Sequence, residues 1–154
     1  MPSRHVTPPN RGEVTVTRQV HFNAAHRLYN RTKSAAWNKE TYGPCANASG
    51  HGHNYVMELS VRGRPNPQTG FLIDLGLLRR IAEDAVANKV DHKHLNKDVP
   101  FLKGVIPTTE NLVMTFWEQI ARLIPTGCRL VCLRLYETPR NFAEYHGPGG
   151  GDLR

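Results

Sequence analysis

Three stretches of this chain alternate apolar and polar residues with a period of two, and this limits the fold more than any other feature. In Glu13–Phe22, Val14, Val16, Val20 and Phe22 share one parity and Thr15, Thr17 and Gln19 the other. In His51–Arg62, His51, His53, Tyr55, Met57, Leu59 and Val61 stand against Asn54, Glu58, Ser60 and Arg62. From Arg129 to Glu137, Val131, Leu133 and Leu135 stand against Leu130, Cys132 and Tyr136. Successive side chains of a strand point to opposite faces, so each stretch predicts a half-buried strand. Asn141–His146 predicts a short fourth strand, hairpinned to the third through ETPRN.

The middle of the chain changes period. Asp74 can cap a helix carrying Leu75, Leu78, Ile81, Ala82, Ala85 and Val86, which fades near Val90. Thr108 or Thr109 can cap a second, with Pro107 before it and Glu110 in its first turn. Its stripe is Leu112, Val113, Phe116, Ile120, Leu123 and Ile124, stopped by Pro125 and Gly127. The order β-β-α-α-β-β predicts an α+β domain, an antiparallel four-stranded sheet with two helices on one face. Such a sheet has two open edges, which an oligomer of the same chain would close. Residues 29–50 have no period and read as a long loop. The 154 residues suffice for one domain and a core without disulfides. We expect that domain over 13–147, between a mobile tail at 1–12 and a flexible one at 148–154.

Charge narrows the partners. Twenty Lys and Arg against 13 Asp and Glu leave a formal +7. The cations are scattered, with no helix-turn-helix or zinc-finger spacing, so no nucleic-acid partner is expected. A polyanionic small substrate fits the same charge. No run of about 18 apolar residues exists, so no membrane partner is expected. The first residues lack the apolar segment of a secretory signal, and three Cys cannot all pair internally. The expectation is a cytoplasmic protein with reduced thiols.

The chemistry concentrates in histidine. His51 and His53, two apart on a strand, point to one side, and Gly52 leaves the other side clear. A two-imidazole arm suits Zn²⁺. If the first two strands pair antiparallel, His26 arrives beside that arm as a third ligand; His21 is its rival, with the opposite parity. Three His with an open position describe a catalytic site. Cys45, in the long loop, could be a fourth ligand, a thiolate base, or an inert loop residue. Cys128 and Cys132 read as packing residues on one strand face. Asp91-His92 could pair, since a carboxylate can fix an imidazole's tautomer, or simply solvate a helix end; His94 is equally ambiguous. Glu137 ends an apolar strand face. A carboxylate there could accept the paired N–H groups of a guanidine-like ring, or stand exposed.

FNAAHRL, the loop Cys, GHGHNY, the turn before DLGLLRR, VDHKHLN, PTTENL and LYET occur in this order. Together they resemble the 6-pyruvoyltetrahydropterin synthase family, which also contains the 6-carboxytetrahydropterin synthase of queuosine biosynthesis. The resemblance spans Glu13 to His146. It implies a tunnelling (T-fold) subunit in a homo-hexamer, a dimer of trimers closed through sheet edges. It implies Zn²⁺ on His26, His51 and His53, and Cys45 as general base or proton shuttle. Asp91 and His92 would be the catalytic partner pair, from an adjoining subunit. Glu137 would anchor the pterin, with Thr108, Thr109 and Glu110 nearby. The implied substrate is 7,8-dihydroneopterin triphosphate, from which triphosphate is eliminated. Five residues separate Cys45 from His51; with DHKHLN and LYET, that spacing is closer to the pyruvoyl branch than to the carboxy branch, which more often has three. A non-catalytic zinc-bearing pterin-binding module is the remaining alternative, and it would use Cys45 as a ligand.

Overall fold

The computed structural model describes residues 12–150. The expected tails fall outside the described residues, apart from Gly12 and positions 148–150. In chain order the elements are β1 (Val14–His26), α1 (Ala35–Tyr42), β2 (His51–Gly63), α2 (Leu75–Ala82), β3 (Lys93–His94), α3 (Thr109–Ile120), β4 (Cys128–Thr138) and β5 (Asn141–Tyr145).

β1 and β2 pair antiparallel over their full length, from Val14 opposite Gly63 to His26 opposite His51. β2 pairs antiparallel with β4, and β4 with β5. The expected four-stranded antiparallel sheet needs one correction. Two residues after the DH pair, Lys93–His94, add a fifth strand parallel to β1, so the sheet is mixed, in the order β3-β1-β2-β4-β5. Two residues are too few to show a period, which is why the sequence pattern missed them.

A second correction concerns β4. Its register with β2 shifts between Ser60 and Val61: Ser60 faces Cys132, whereas Val61 faces Leu130. Val131 is thus an extra, bulged residue, and the parity flips there. The buried residues are Leu130, Leu133 and Leu135, not Val131. Cys128 and Cys132 therefore lie on opposite faces. Cys128 shares the side of Leu130, while Cys132 joins Ser60 on the outer face.

The third correction is α1, inside the expected long loop. Ser34 caps it, its Oγ accepting from Trp37 N–H at 3.1 Å, and Gly43 ends it with φ at 53°. Only Asn38 is buried in this helix, so no apolar stripe announces it. The Asn38 amide instead organises the turn before it, accepting from Asn30 N–H at 2.7 Å and donating to Asn30 and Ser34 carbonyls at 3.0 and 2.9 Å.

Both long helices start where their caps predict. Asp74 Oδ1 accepts from Gly76 N–H at 2.7 Å, and Thr108 Oγ1 from Asn111 N–H at 3.3 Å. α2 continues through a wider π turn over Glu83–Ala87 and closes at Asn88–Val90. Leu78, Ala82 and Val86 of this segment and Leu112, Phe116 and Ile120 of α3 join Phe22, Tyr55, Met57 and Leu59 of the sheet in one core. Phe116 meets Phe22 edge-on at 6.0 Å between ring centroids. Each such fully buried side chain contributes roughly 1.5–3 kcal/mol. One face of the sheet is thus apolar and covered, and the other is polar.

Candidate active site

The β1–β2 register decides where the imidazoles go. His26 and His51 are direct partners and therefore point to the same face, and His53 follows on that face two residues along. It is the core face, continuing the rows Val20-Phe22-Ala24 and Met57-Tyr55 to the end of the sheet. His26 is fully buried, and His51 and His53 are partly so. One donor nitrogen from each lies within 4.8 Å of the others, the only such convergence among the described residues. His26 Nε2 and His51 Nε2 are 3.1 Å apart. Gly50 makes the approach possible. Its φ is 70°, and a Cβ there would sit 2.8 Å from the His26 carbonyl oxygen.

The hydrogen bonds aim these rings. His26 Nδ1–H donates to the Pro107 carbonyl at 2.8 Å. A carbonyl can only accept, so this bond fixes the tautomer and leaves the Nε2 lone pair facing the centre. The Tyr55 hydroxyl lies 3.3 Å from the same Nδ1. His53 Nε2 is buried without a hydrogen-bond partner. Glu137 Oε1 lies 3.3 Å from it, an ion pair only when the ring is protonated, so no hydrogen bond holds this nitrogen. Burial pushes the His26 pKa down to about 4, against the opposing Pro107 bond. Burial also lowers His53, partly offset by the Glu137 charge. The Tyr55 hydroxyl is pushed far above its usual range by burial and then by Glu137. His26 is thus neutral at pH 7, the form a metal ligand needs.

The other predicted residues divide into two groups. Glu137 belongs to the centre, its Oε1 lying 3.3 Å from His26 Nε2 as well as from His53. Thr108, Thr109 and Glu110 open α3 directly after the Pro107 carbonyl that holds His26. Cys45 sits in a tight turn, Gly43–Ala46, whose backbone is tied to the end of β1 by Leu28 N–H donating to the Cys45 carbonyl at 2.9 Å. It is not in the converged donor set. Asp91 and His92 do pair, with Nδ1 3.0 Å from Asp91 Oδ2. Asn23 N–H donates to Asp91 Oδ1 at 2.8 Å and, with His92 beside it, holds that carboxyl below its usual range. His92 has φ at 57°, the one positive value outside glycine among the described residues. Such a conformation costs roughly 1–2 kcal/mol and marks a held position. Its ring is 78 % exposed. With Asn23, Ala25, Gly52 and Asn54, and with Ala24, His53 and His94, it lines a cavity of about 620 Å³. His92 thus shares this cavity with one of the three imidazoles, His53, at the β3 edge of the sheet. His21, the rival ligand, is exposed on the outer face.

Residues 15–148 match the sequence profile described as 6-pyruvoyl tetrahydropterin synthase. The chain belongs to the 6-pyruvoyl tetrahydropterin synthase family. It is 40 % identical over 140 residues to the 6-pyruvoyl tetrahydrobiopterin synthase of Poecilia reticulata, covering 91 % of this chain and 95 % of that one. The structure of the Caenorhabditis elegans 6-pyruvoyl tetrahydropterin synthase superposes with a TM-score of 0.83 at 38 % identity, covering 88 % of this chain and 96 % of that one. A 6-carboxy-5,6,7,8-tetrahydropterin synthase of Rickettsia bellii is 27 % identical over 149 residues, with 85 % and 99 % coverage. The chain is thus a pterin synthase of the lyase class.

Within this family frame, sequence reasoning overlooked two groups. The Pro107 carbonyl aims His26, yet a backbone oxygen carries no residue-type signal. Tyr55 was legible only as a core residue, although its parity with His51 and His53 placed it directly beneath them.

Proposed function

We propose that the chain is a zinc-dependent lyase that eliminates triphosphate from 7,8-dihydroneopterin triphosphate to give a 6-pyruvoyltetrahydropterin. The observation that carries this reading is the inward-facing, unpaired nitrogen of His53 beside a tautomer-locked His26. Buried polar atoms are normally satisfied, so an orphan of this kind fits a site built for a ligand. Three imidazoles suit Zn²⁺, and His26, His51 and His53 would hold it. Such an ion supplies Lewis acidity that polarises the substrate's side-chain oxygens and acidifies neighbouring protons.

This chain's own residues do the rest. Cys45 Sγ takes a proton from the substrate side chain. Asp91 holds His92 Nδ1 as a donor, which leaves Nε2 to take or return a proton as the side chain tautomerises and triphosphate departs. The exposed His92 ring suits a group that completes the site of an adjoining subunit. Glu137 accepts the paired N–H groups of the pterin, and Thr108, Thr109 and Glu110 flank that ring. The open edges at β3 and β5 support a homo-oligomer, a hexamer of two trimers on the family pattern. Three free thiols fit a cytoplasmic setting. No described helix is long and apolar enough to cross a membrane.

The C-x5-HGH spacing favours the pyruvoyl product over the carboxy product. Mass spectrometry after incubation with 7,8-dihydroneopterin triphosphate tests this. A pyruvoyl pterin plus triphosphate is expected. A carboxypterin with acetaldehyde would move the chain to the queuosine branch, and unaltered substrate with zinc in place would leave only a pterin-binding module.

A further inference from the structure

Among the described residues the cations are not all paired. On the outer sheet face two are matched by carboxylates: Arg129 makes two bonds to Glu13, at 2.7 and 2.9 Å, and Arg134 lies between Glu58 and Glu144, while Arg62 bonds the Thr15 hydroxyl at 2.9 Å. A second set has no carboxylate partner among the described residues. Arg31, Lys97 and Lys103 line one groove of about 660 Å³, between the loop at Tyr29–Thr32 and the segment Asn96–Ile106. That volume is within the range of small-molecule sites. Asp98 is the groove's one carboxylate, and its Oδ2 already accepts from His94 N–H at 2.9 Å.

Both walls are fixed, and one is anchored beside His26. Asn38 pins the Asn30 backbone on one side. On the other, the Asn96 amide bonds both backbone groups of Arg27, the residue after His26, at 2.9 and 2.8 Å. Ile106, at the end of the groove, immediately precedes the Pro107 carbonyl that holds His26. A groove with preformed walls and unpaired cations is organised to receive anionic oxygens without first ordering itself.

We propose that this groove receives the oligophosphate arm of the substrate, with Arg31, Lys97 and Lys103 as its charge-binding side chains. The proposal rests on the reading above that the substrate carries a triphosphate. It makes the groove a specificity determinant, because a pterin lacking phosphate would leave it unused.

The test uses the full zinc-loaded chain and the double variant Lys97→Ala/Lys103→Ala, both exposed positions, with Lys97→Arg/Lys103→Arg as the charge-conserving control. Calorimetric titration with inorganic tripolyphosphate, with zinc retention checked afterwards, should show at least about tenfold weaker binding to the alanine variant. Affinity should recover in the arginine variant. KM for 7,8-dihydroneopterin triphosphate should rise by a similar factor, more than kcat falls, while affinity for unphosphorylated dihydroneopterin stays the same. Equal tripolyphosphate affinity in wild type and alanine variant overturns the proposal. So does an alanine variant that loses only binding to a short oligonucleotide. If tripolyphosphate binding depends on these lysines but no triphosphate is ever released from the pterin substrate, the groove stands and the assigned reaction fails. If turnover proceeds with an unchanged KM, the reaction stands and the groove assignment fails.

Discussion

The two faces of one sheet treat their polar groups in opposite ways. On the outer face they satisfy each other: Thr17 bonds Ser60 at 2.7 Å, Gln19 donates to Glu58 at 2.7 Å, and Arg134 meets Glu144 and Glu58. On the core face, at the end of β1 and β2, three imidazoles turn their nitrogens toward a shared centre, and His53 Nε2 makes no hydrogen bond there, with Glu137 Oε1 3.3 Å away. Both sets come from the same strands and the same alternation. The outer set is complete as it stands. The inner set converges three donor nitrogens that could hold a metal ion.

The largest expected effect comes from breaking the inner set. His51→Ala should bring bound zinc to near zero, by elemental analysis, and triphosphate release to background. Cys45→Ala should separate metal binding from chemistry: zinc stays, and release slows by about 10²–10⁴-fold, the usual worth of a general acid–base group. Zinc lost together with activity would make Cys45 a ligand instead.

Acid distinguishes the faces next. His26 is depressed to about 4 in the folded chain against 6.5 in the unfolded one. Below 6.5 the unfolded state therefore gains a proton that folded His26 refuses. Metal-free protein should lose up to about 3 kcal/mol of stability as pH falls from 6.5 to 4, read from urea midpoints. A flat profile across that window would mean the ring is less enclosed than described. The smallest effect belongs to the outer face. Glu144→Gln should change stability by less than about 1 kcal/mol by thermal unfolding, because exposed ion pairs are weak.

The part of the fold with a period was legible. Val20, Phe22, Tyr55, Met57 and Leu59 lie in the core on the face that alternation chose, and Asp74 and Thr108 cap the helices as their positions suggest. What escaped was structure without a period. β3 is two residues long, α1 buries only an asparagine, and the bulge at Val131 shifts the strand's phase without changing its composition. In the site, the approach of His26 to His51 followed from antiparallel pairing alone. The orientation of the rings did not, because it depends on a backbone carbonyl 81 residues from His26. The cavity that His92 shares with His53 was equally hidden, since a sequence does not say where a loop returns to the sheet.

The most direct test is metal analysis of the wild-type chain purified without chelators. The expected result is close to one zinc ion per chain, with X-ray absorption at the zinc edge showing three imidazole nitrogens and no sulfur. Protein that is folded yet holds no divalent ion, or a zinc shell that contains sulfur, would contradict it.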